Sequence, residues 1–500
     1  MAMRSGEHKE YMGSVKLIDS PVPFEESCAL PAAAMSKGHE RFDLATAFIE
    51  RLADLAAVMT ATMLADGLYE FLQIGRRLHY PAGIFLPIAF GFSLLFVLML
   101  EHDGAYNRAN SLLRIRETER ILRVTAHTFS VVFPITFFLS EMFSRWVVVL
   151  TFIFVPLLVI VEKQLVFVLI RSLHSRGYGL RNVLVYGAGH TGRRVFSAIV
   201  RSPKLGLNPI AIVDDDERLT GDEIYEFGYK RERSAPVIAG PLTSELIRER
   251  SIGLVVIGIP SFSRQRLAAV AAEAFAAGAN VAFVPQLSYS SETSTNYVDI
   301  DGVLIASLGL PERKRLYETA KRIFDFSAAL ALLVFTLPLL AIIAVLIRLD
   351  SKGPAYFHQM RVGLRGKKFE LYKFRTMRVD APKYGLHPTD AEDPRVTRVG
   401  RWLRRTSLDE LPQLLNILNG DMSLVGPRPE MPFIVERYND HHRQRLQVIP
   451  GLTGLWQLSA DRSFLIHENI QYDLYYIRHR NFFMDLAILL HTVVFAMKGI

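Results

Sequence analysis

Ile323-Phe-Asp-Phe-Ser-Ala-Ala-Leu-Ala-Leu-Leu-Val-Phe-Thr-Leu-Pro-Leu-Leu-Ala-Ile-Ile-Ala-Val-Leu-Ile347 is almost wholly apolar, with Asp325 and Pro338 as the exceptions. The run is longer than the roughly 20 residues that cross a bilayer as a helix. Both flanks are basic: Lys321 and Arg322 precede it, and Arg348 and Lys352 follow. Positive charge collects on the cytoplasmic side of membranes. A segment that enters and returns on one face is therefore expected. An ordinary kinked spanning helix is the alternative, and it would put the rest of the chain outside the cell. Pro338 removes one helical donor, frees the carbonyl of Val334 and predicts a kink. A freed group in lipid needs a partner, and the Thr336 hydroxyl is the nearby candidate.

Upstream, residues 178–290 alternate strand and helix patterns. Asn182-Val-Leu-Val-Tyr186 reads as a buried strand. Gly187-Ala-Gly189-His-Thr-Gly192 follows, then an amphipathic helix through Val200. Ile210–Val213 is a second strand, ending at Asp214. Gly253–Gly258 and Asn280–Val284 read as further strands. This is a Rossmann-like pattern, in which a glycine turn at a helix N-terminus approaches a pyrophosphate and an acidic residue about 20 positions on meets a ribose hydroxyl. Gly187, Gly189, Gly192 and Asp214 are the cofactor-binding candidates. A nucleotide-free domain serving assembly or regulation is the competing reading, and the identity of any nucleotide stays open.

Further upstream, residues 45–172 hold four apolar segments: about Leu52–Ile74, Pro81–Leu100, Ile121–Phe143 and Trp146–Ile170. Asp54, Asp66, Arg123 and His127 interrupt the first and third. Arg108, Arg114, Arg116 and Arg120 precede the third, and Arg171, Arg176 and Arg181 follow the fourth. These outweigh Arg76, Arg77 and Arg145 in the other loops, so both ends of the bundle are expected inside the cell. Residues 1–44 are polar and broken by prolines, without the pattern of a cleavable signal, and read as a disordered cytoplasmic tail. The fold class is thus an α/β membrane protein. It joins a four-helix transmembrane bundle, a Rossmann-like middle domain and a mostly helical C-terminal domain, 316–500, with a re-entrant helix at 323–347.

Composition narrows the chemistry. The 500 residues carry a formal charge of +8, half are hydrophobic, and Cys28 is the sole cysteine. A disulfide framework or cysteine metal site is excluded. The positive balance suits anionic partners, and the apolar runs favour lipid and phosphates over nucleic acid. Arg361, Arg365, Lys367, Lys368, Lys373, Arg375 and Arg378 crowd one stretch, interleaved with Phe369, Leu371, Tyr372 and Phe374. That stretch reads as a surface on anionic headgroups, a diphosphate pocket, or both.

Next comes Gly400-Arg-Trp-Leu-Arg404-Arg405-Thr-Ser407-Leu-Asp409-Glu410-Leu-Pro412-Gln-Leu-Leu-Asn416. Ser407 and Glu410 have capping-box spacing, and Pro412 tolerates only a first helical turn. Asp409 or Ser407 is then a helix cap, with Glu410 complementing the dipole. The same geometry also suits a carboxylate nucleophile on phosphorus, with nearby arginines neutralising the transferred group. Magnesium typically takes one or two carboxylates plus substrate phosphates. Gly426-Pro427-Arg428-Pro429 pins an arginine in a stiff turn suited to phosphate. Pro450-Gly-Leu-Thr-Gly454-Leu-Trp-Gln457 is a second turn-rich element.

Together, Lys321–Asp325, Lys373-Phe-Arg-Thr-Met377, Thr406–Gln413, Gly420–Pro429 and Pro450–Gly454 resemble the bacterial monotopic phosphoglycosyl transferases, in order and over the last 180 or so residues. The whole layout resembles the family's long members, polyprenyl-phosphate hexose-1-phosphate transferases that initiate exopolysaccharide, capsule or O-antigen synthesis. The resemblance implies a UDP-sugar donor, an undecaprenyl phosphate acceptor, magnesium, and a catalytic domain on the cytoplasmic face of the inner membrane. It implies Asp409 as nucleophile and Glu410 as its metal-assisting partner. Arg404 and Arg428 match phosphate-contacting positions, and Lys373 and Arg375 join them as substrate-binding candidates. Glucose or galactose is the expected sugar, and a homodimer the expected assembly. One departure is Leu337-Pro338, where the family commonly has Ser-Pro.

Two other classes compete. Tyr317 and Lys321 form a Tyr-x-x-x-Lys pair, as in short-chain oxidoreductases and epimerases that act on nucleotide sugars. A catalytically inactive scaffold for polysaccharide assembly is the other, against which stand Asp409, Glu410 and Arg428.

Overall fold

The computed structural model describes residues 32–73, 80–106, 114–138, 144–201, 205–219, 221, 223–228, 231–259, 263–284, 294–300, 303–309, 314–381, 393–458 and 470–497. Its chain forms two units. One comprises residues 1–52 and 163–286, the other 53–162 and 287–500. Helices α1 (Ala32–Leu72), α2 (Ala82–His102), α3 (Arg114–Phe138) and α4 (Arg145–Ser175) come first. Residues 32–44 are thus helical, not part of a disordered tail. His39, buried, bonds the carbonyl of Gly179 at 2.7 Å and so ties that helical turn to the first unit. Residues 1–31 lie outside the described set.

Four described helices are long and apolar enough to cross a membrane: Arg41–Leu72, Ala82–His102, Arg145–Ser175 and Arg315–Asp350. The third expected span, α3, is not among them. Its first half is charged, and the charges are used inside the second unit. Arg120 and Arg123 both pair with Asp103, at 3.1 and 2.7 Å. Arg116 donates to Tyr475, and Glu119 accepts from Asn481. Arg116 and Arg120, read as loop cations, therefore lie on a helix, and their partners explain why polar residues occur there.

In the first unit a six-stranded sheet runs in the order β3 (Glu223–Gly228), β4 (Arg231–Ala239), β2 (Leu207–Asp214), β1 (Arg181–Tyr186), β5 (Leu254–Ile257) and β6 (Asn280–Phe283). All neighbours are parallel except the β3–β4 edge hairpin, which the sequence pattern did not reveal. Alternate residues of β1 feed opposite faces. Val183 and Val185 pack with Phe196 and Ile199 of α5 (His190–Arg201). Leu184 and Tyr186 pack with Ile247 of α6 (Ser244–Glu249) and Val270 of α7 (Arg264–Ala276). Two covered faces make the strands continuously apolar.

In the second unit β7 (Ser294–Ile300) and β8 (Val303–Gly309) form a hairpin ahead of α8 (Arg315–Asp350). Helix α8 continues through Pro338. The Thr336 hydroxyl donates to the carbonyl of Leu332 at 2.7 Å, rather than serving that of Val334. Then follow the antiparallel pair β9 (Tyr356–Val362) and β10 (Lys368–Phe374), helix α9 (Arg398–Thr406), a 3-10 turn at Leu408–Gln413, and α10 (Leu414–Asn419). Strand β11 (Ser423–Val425) pairs in parallel with β12 (Gly451–Thr453). Between and after them come α11 (Pro432–Val435), α12 (Asp440–Arg443) and α13 (Leu455–Leu458), then α14 (Gln471–His479) and α15 (Phe482–Met497).

Both halves of α8 pack on this C-terminal domain. Ala329 joins Phe369, Leu371, Leu414 and Ile417, while Leu340, Ile343 and Ile347 join Phe374 and Leu403. Its ends are hydrogen-bonded there too. Arg322 donates to the carbonyls of Ile417 and Leu418, and Asp350 accepts from the N–H of Val399. Tyr317 and Lys321 both meet Asp485 of α15, at 2.7 and 2.9 Å. The suspected oxidoreductase pair is therefore spent on helix docking.

Candidate active site

Lys373 lies near the end of β10, where period-2 alternation buries Phe369 and Leu371. Helix α9 ends at Ser407, which sits in the left-handed region at φ 58° and turns the chain sharply. Its side chain makes no cap, so the expected capping box is absent. The following 3-10 turn, stiffened by Pro412, carries Asp409 and Glu410. Fully buried Asn416 fastens this segment to β10: its amide donates to the carbonyl of Glu370 at 2.7 Å and accepts from the N–H of Tyr372 at 3.0 Å.

The Glu410 carboxylate accepts from Lys373 at 2.6 Å and from Arg428 at 3.2 Å, both on Oε1. Burial opposes its charge, but the two cations outweigh burial and hold its pKa at about 2. Arg428 is raised in turn, chiefly by Glu410. Asp409 is different. It is 9% exposed, and among the described residues nothing hydrogen-bonds its carboxylate. Burial pushes its pKa up; Lys373, Arg404 and Arg428 oppose this, while Glu410 adds to it. Arg404 is lowered by burial, feels the Asp409 charge, and donates to the Thr376 hydroxyl at 2.8 Å.

The Arg428 turn is held from three directions. The Gly426 N–H donates to Thr453, and that of Gly451 donates to Pro427. A Cβ on Gly451 would lie 2.0 Å from the Gly426 nitrogen, so the two turns touch backbone to backbone. This explains the glycines of the Pro450–Gly454 element, which loop geometry alone left without a role. Buried Arg445 bonds Asp473 at 2.7 Å, Tyr438 at 2.5 Å and the Arg428 carbonyl at 3.0 Å. A shallow, open cleft results, lined by Lys373, Glu410, Arg428, Arg361, Gln413 and Leu452 among others.

The structure therefore brings Asp409, Glu410, Lys373, Arg428 and Arg404 together. It does not bring Arg375 to them. That guanidinium is buried on the carbonyls of Ser351 and Lys352, where it fastens the end of α8. No described group of three or more His, Cys, Asp or Glu side chains stands ready for a metal. Both hydrogen bonds to Glu410 fall on Oε1, so its Oε2 is the carboxylate oxygen that a magnesium ion completed by substrate phosphates would take.

Residues 316–499 match the family model "Bacterial sugar transferase", and residues 101–285 match that of a CoA-binding domain. A UDP-glucose:undecaprenyl-phosphate glucose-1-phosphate transferase of Xanthomonas campestris pv. campestris is 30% identical over 368 residues, covering 71% of this chain and 74% of that protein. A protein of the same name from Klebsiella pneumoniae is 32% identical over 359 residues, 69% of this chain and 74% of that one. The chain belongs to the bacterial sugar transferase family. The UDP-galactose-lipid carrier transferase of Erwinia amylovora is 29% identical over 374 residues, 71% of this chain and 76% of that one.

Several residues that shape this sugar transferase site carry no local sequence signal. Asn416 and Asp473 act through partners 44 and 28 positions away. In the middle domain, Gly187 has φ 111°, and a Cβ on Gly192 would meet the carbonyl of Gly187, as a tight glycine turn requires. Gly189 has open space where a side chain would start. Asp214 does not face outward to a ribose. Its carboxylate accepts from the Ala188 N–H of the turn at 2.6 Å and from that of Asp216 at 3.0 Å.

Proposed function

We propose that the chain transfers a hexose-1-phosphate, glucose or galactose, from a UDP-sugar to undecaprenyl phosphate, with release of UMP. This would be the first membrane step of an exopolysaccharide, capsule or O-antigen. The supporting observation is Asp409: a buried carboxylate without a hydrogen bond, ringed by Lys373, Arg404 and Arg428. A structural carboxylate so buried is normally satisfied. One kept bare beside three cations is poised as a nucleophile toward an anionic electrophile. An Asp409 oxygen attacks the sugar-linked phosphorus as the bond to the UMP oxygen breaks. An oxygen of undecaprenyl phosphate then attacks the same phosphorus, the aspartyl bond breaks, and the carboxylate is restored. Lys373 and Arg428 neutralise charge on the phosphates, while Arg404 favours the ionised nucleophile.

Bound magnesium, held by Glu410 and by substrate phosphates, would supply Lewis-acid charge neutralisation. The docking of both α8 ends on one domain supports a helix that enters and leaves on the cytoplasmic face of the inner membrane. Its exposed side, including Val334, Phe335, Leu337 and Ile342, then meets lipid. The family's long members lead us to a homodimer as the assembly. Incubating membranes with radiolabelled UDP-sugars and undecaprenyl phosphate tests the reaction. Asp409→Asn should lose both UMP release and covalent phosphosugar labelling; normal turnover by that variant would sink the mechanism.

A further inference from the structure

A second cleft, shallow and open to solvent, lies behind the Gly426–Pro429 turn. Arg428 and Pro429 line both clefts, so they share a wall. The second is built from Pro427, Pro450 and Val448, with Glu430, Tyr438 and Arg445 as its polar groups. Glu430 is nine-tenths buried, and its backbone is fixed by the Val362 N–H at 2.9 Å. Among the described residues nothing hydrogen-bonds its carboxylate; Arg445 Nη1 stands 4.0 Å away. Arg445 is already committed to Asp473, Tyr438 and the Arg428 carbonyl. The Tyr438 oxygen accepts from Arg445, which leaves its own O–H to donate elsewhere.

Glu430, with Arg445 as its ion-pair partner at 4.0 Å and no hydrogen bond among the described residues, keeps acceptor capacity that a ligand's donors can fill. Aliphatic proline and valine walls suit the C–H face of a saturated ring. The aromatic ring of this lining, Tyr438, is already covered by the Arg445 guanidinium, 5.9 Å from its centroid, so stacking of a flat base is poorly served. Arg428 offers phosphate contact at the shared wall. A hydroxylated saturated ring carried on a phosphate satisfies all of these features. We propose that this cleft is the subsite for the donor's glycosyl ring, with Glu430 accepting from ring hydroxyls. The assignment rests on reading the cleft at Glu410, Lys373 and Arg428, beside Asp409, as the phosphosugar-transfer site.

The test is kinetic, with the full-length chain in membranes. Wild type is first assayed for UMP release from UDP-hexoses; failure with every sugar would overturn the reading of Asp409 and its neighbouring cleft as the transfer site. With turnover established, isosteric Glu430→Gln should raise the KM for the UDP-hexose about tenfold, the scale of losing a hydrogen bond to a charged group. Inhibition by UMP should stay within about twofold, since UMP lacks the ring. A panel of deoxy-hexose donors adds a coupling measurement. One deoxy position should cost wild type about tenfold and Glu430→Gln almost nothing, the signature of a direct contact. Glu430→Asp, which keeps the charge, should fall between the two and covers the case of a poorly accumulating Gln variant. An unchanged KM in both variants, or no coupling at any hydroxyl, overturns the subsite alone. A parallel loss of UMP inhibition overturns it as well, by placing the nucleoside in the cleft.

Discussion

Asp409 and Glu410 are neighbours whose pKa values are pushed in opposite directions. Glu410, paired with Lys373 and Arg428, stays ionised down to about pH 2. Asp409, buried, resists ionisation. The proposed first half-reaction needs Asp409 ionised, so its rate should fall as pH drops through the raised pKa. The acid limb should lie above the ordinary aspartate value of about 3.9. Lys373→Met removes the largest influence favouring the charge. It should move that limb upward and cut kcat about 100-fold, the scale of losing one positioned charge partner; a pH–rate profile of UMP release checks both. A carboxyl whose folded pKa is raised adds stability below its unfolded pKa and loses it as pH rises through the folded one. Neutral Asp409→Asn should therefore raise the apparent melting temperature at pH 7, with the gain shrinking toward pH 4. Thermal scans at the two pH values decide this.

At the scale of elements, the site depends on two backbone devices. Ser407 takes a left-handed conformation that costs a non-glycine residue about 1 kcal/mol. Ser407→Gly should relieve it and stabilise the domain by up to that amount, while freeing the turn that aims Asp409. A higher melting point with lower kcat is the expected pair of results. Gly451 is the second device. Its absent Cβ lets β12 lie against Gly426, and Gly451→Ala must push two backbones apart. Overpacking of this kind costs about 1–3 kcal/mol. Because Gly426 leads into Arg428, the variant should also raise the KM for the UDP-sugar, measurable beside its loss of stability.

At the scale of the molecule, α8 decides which side of the membrane the chemistry occupies. A helix of 36 residues is about 54 Å long. Yet Arg322 near its start and Asp350 at its end both bond the same domain. Leu316→Cys and Lys352→Cys, in a Cys28→Ser background, should both react with an impermeant maleimide in inside-out vesicles and resist it in intact cells. Labelling of one from each side would make α8 a spanning helix. Polar contacts between α3 and the helices α14 and α15 belong to the same unit. Arg123, which weakened α3 as a span, pairs with Asp103 and Glu119 in that unit.

Local pattern alone was enough for much of this protein. Continuous apolar runs revealed the central strands, because two covered faces demand them. The long runs of α2, α4 and α8 were plain, because a bilayer fixes their length. The turn chemistry of Ser407–Pro412 left Asp409 and Glu410 readable as a helix cap or as a reactive pair, and it was the family resemblance, with Arg428 in the Gly426–Pro429 turn, that favoured the second. Tertiary structure decided what depended on partners distant in sequence. It drew Lys373 onto Glu410 and sent the equally basic Arg375 to the end of α8. It turned Asp214 inward and put α3's charges to work as contacts. It left Asp409 without a hydrogen bond and Glu430 bare in a second cleft. Burial and pairing are properties of the packed chain, and for an ionisable group they settle whether the same side chain caps, braces or reacts.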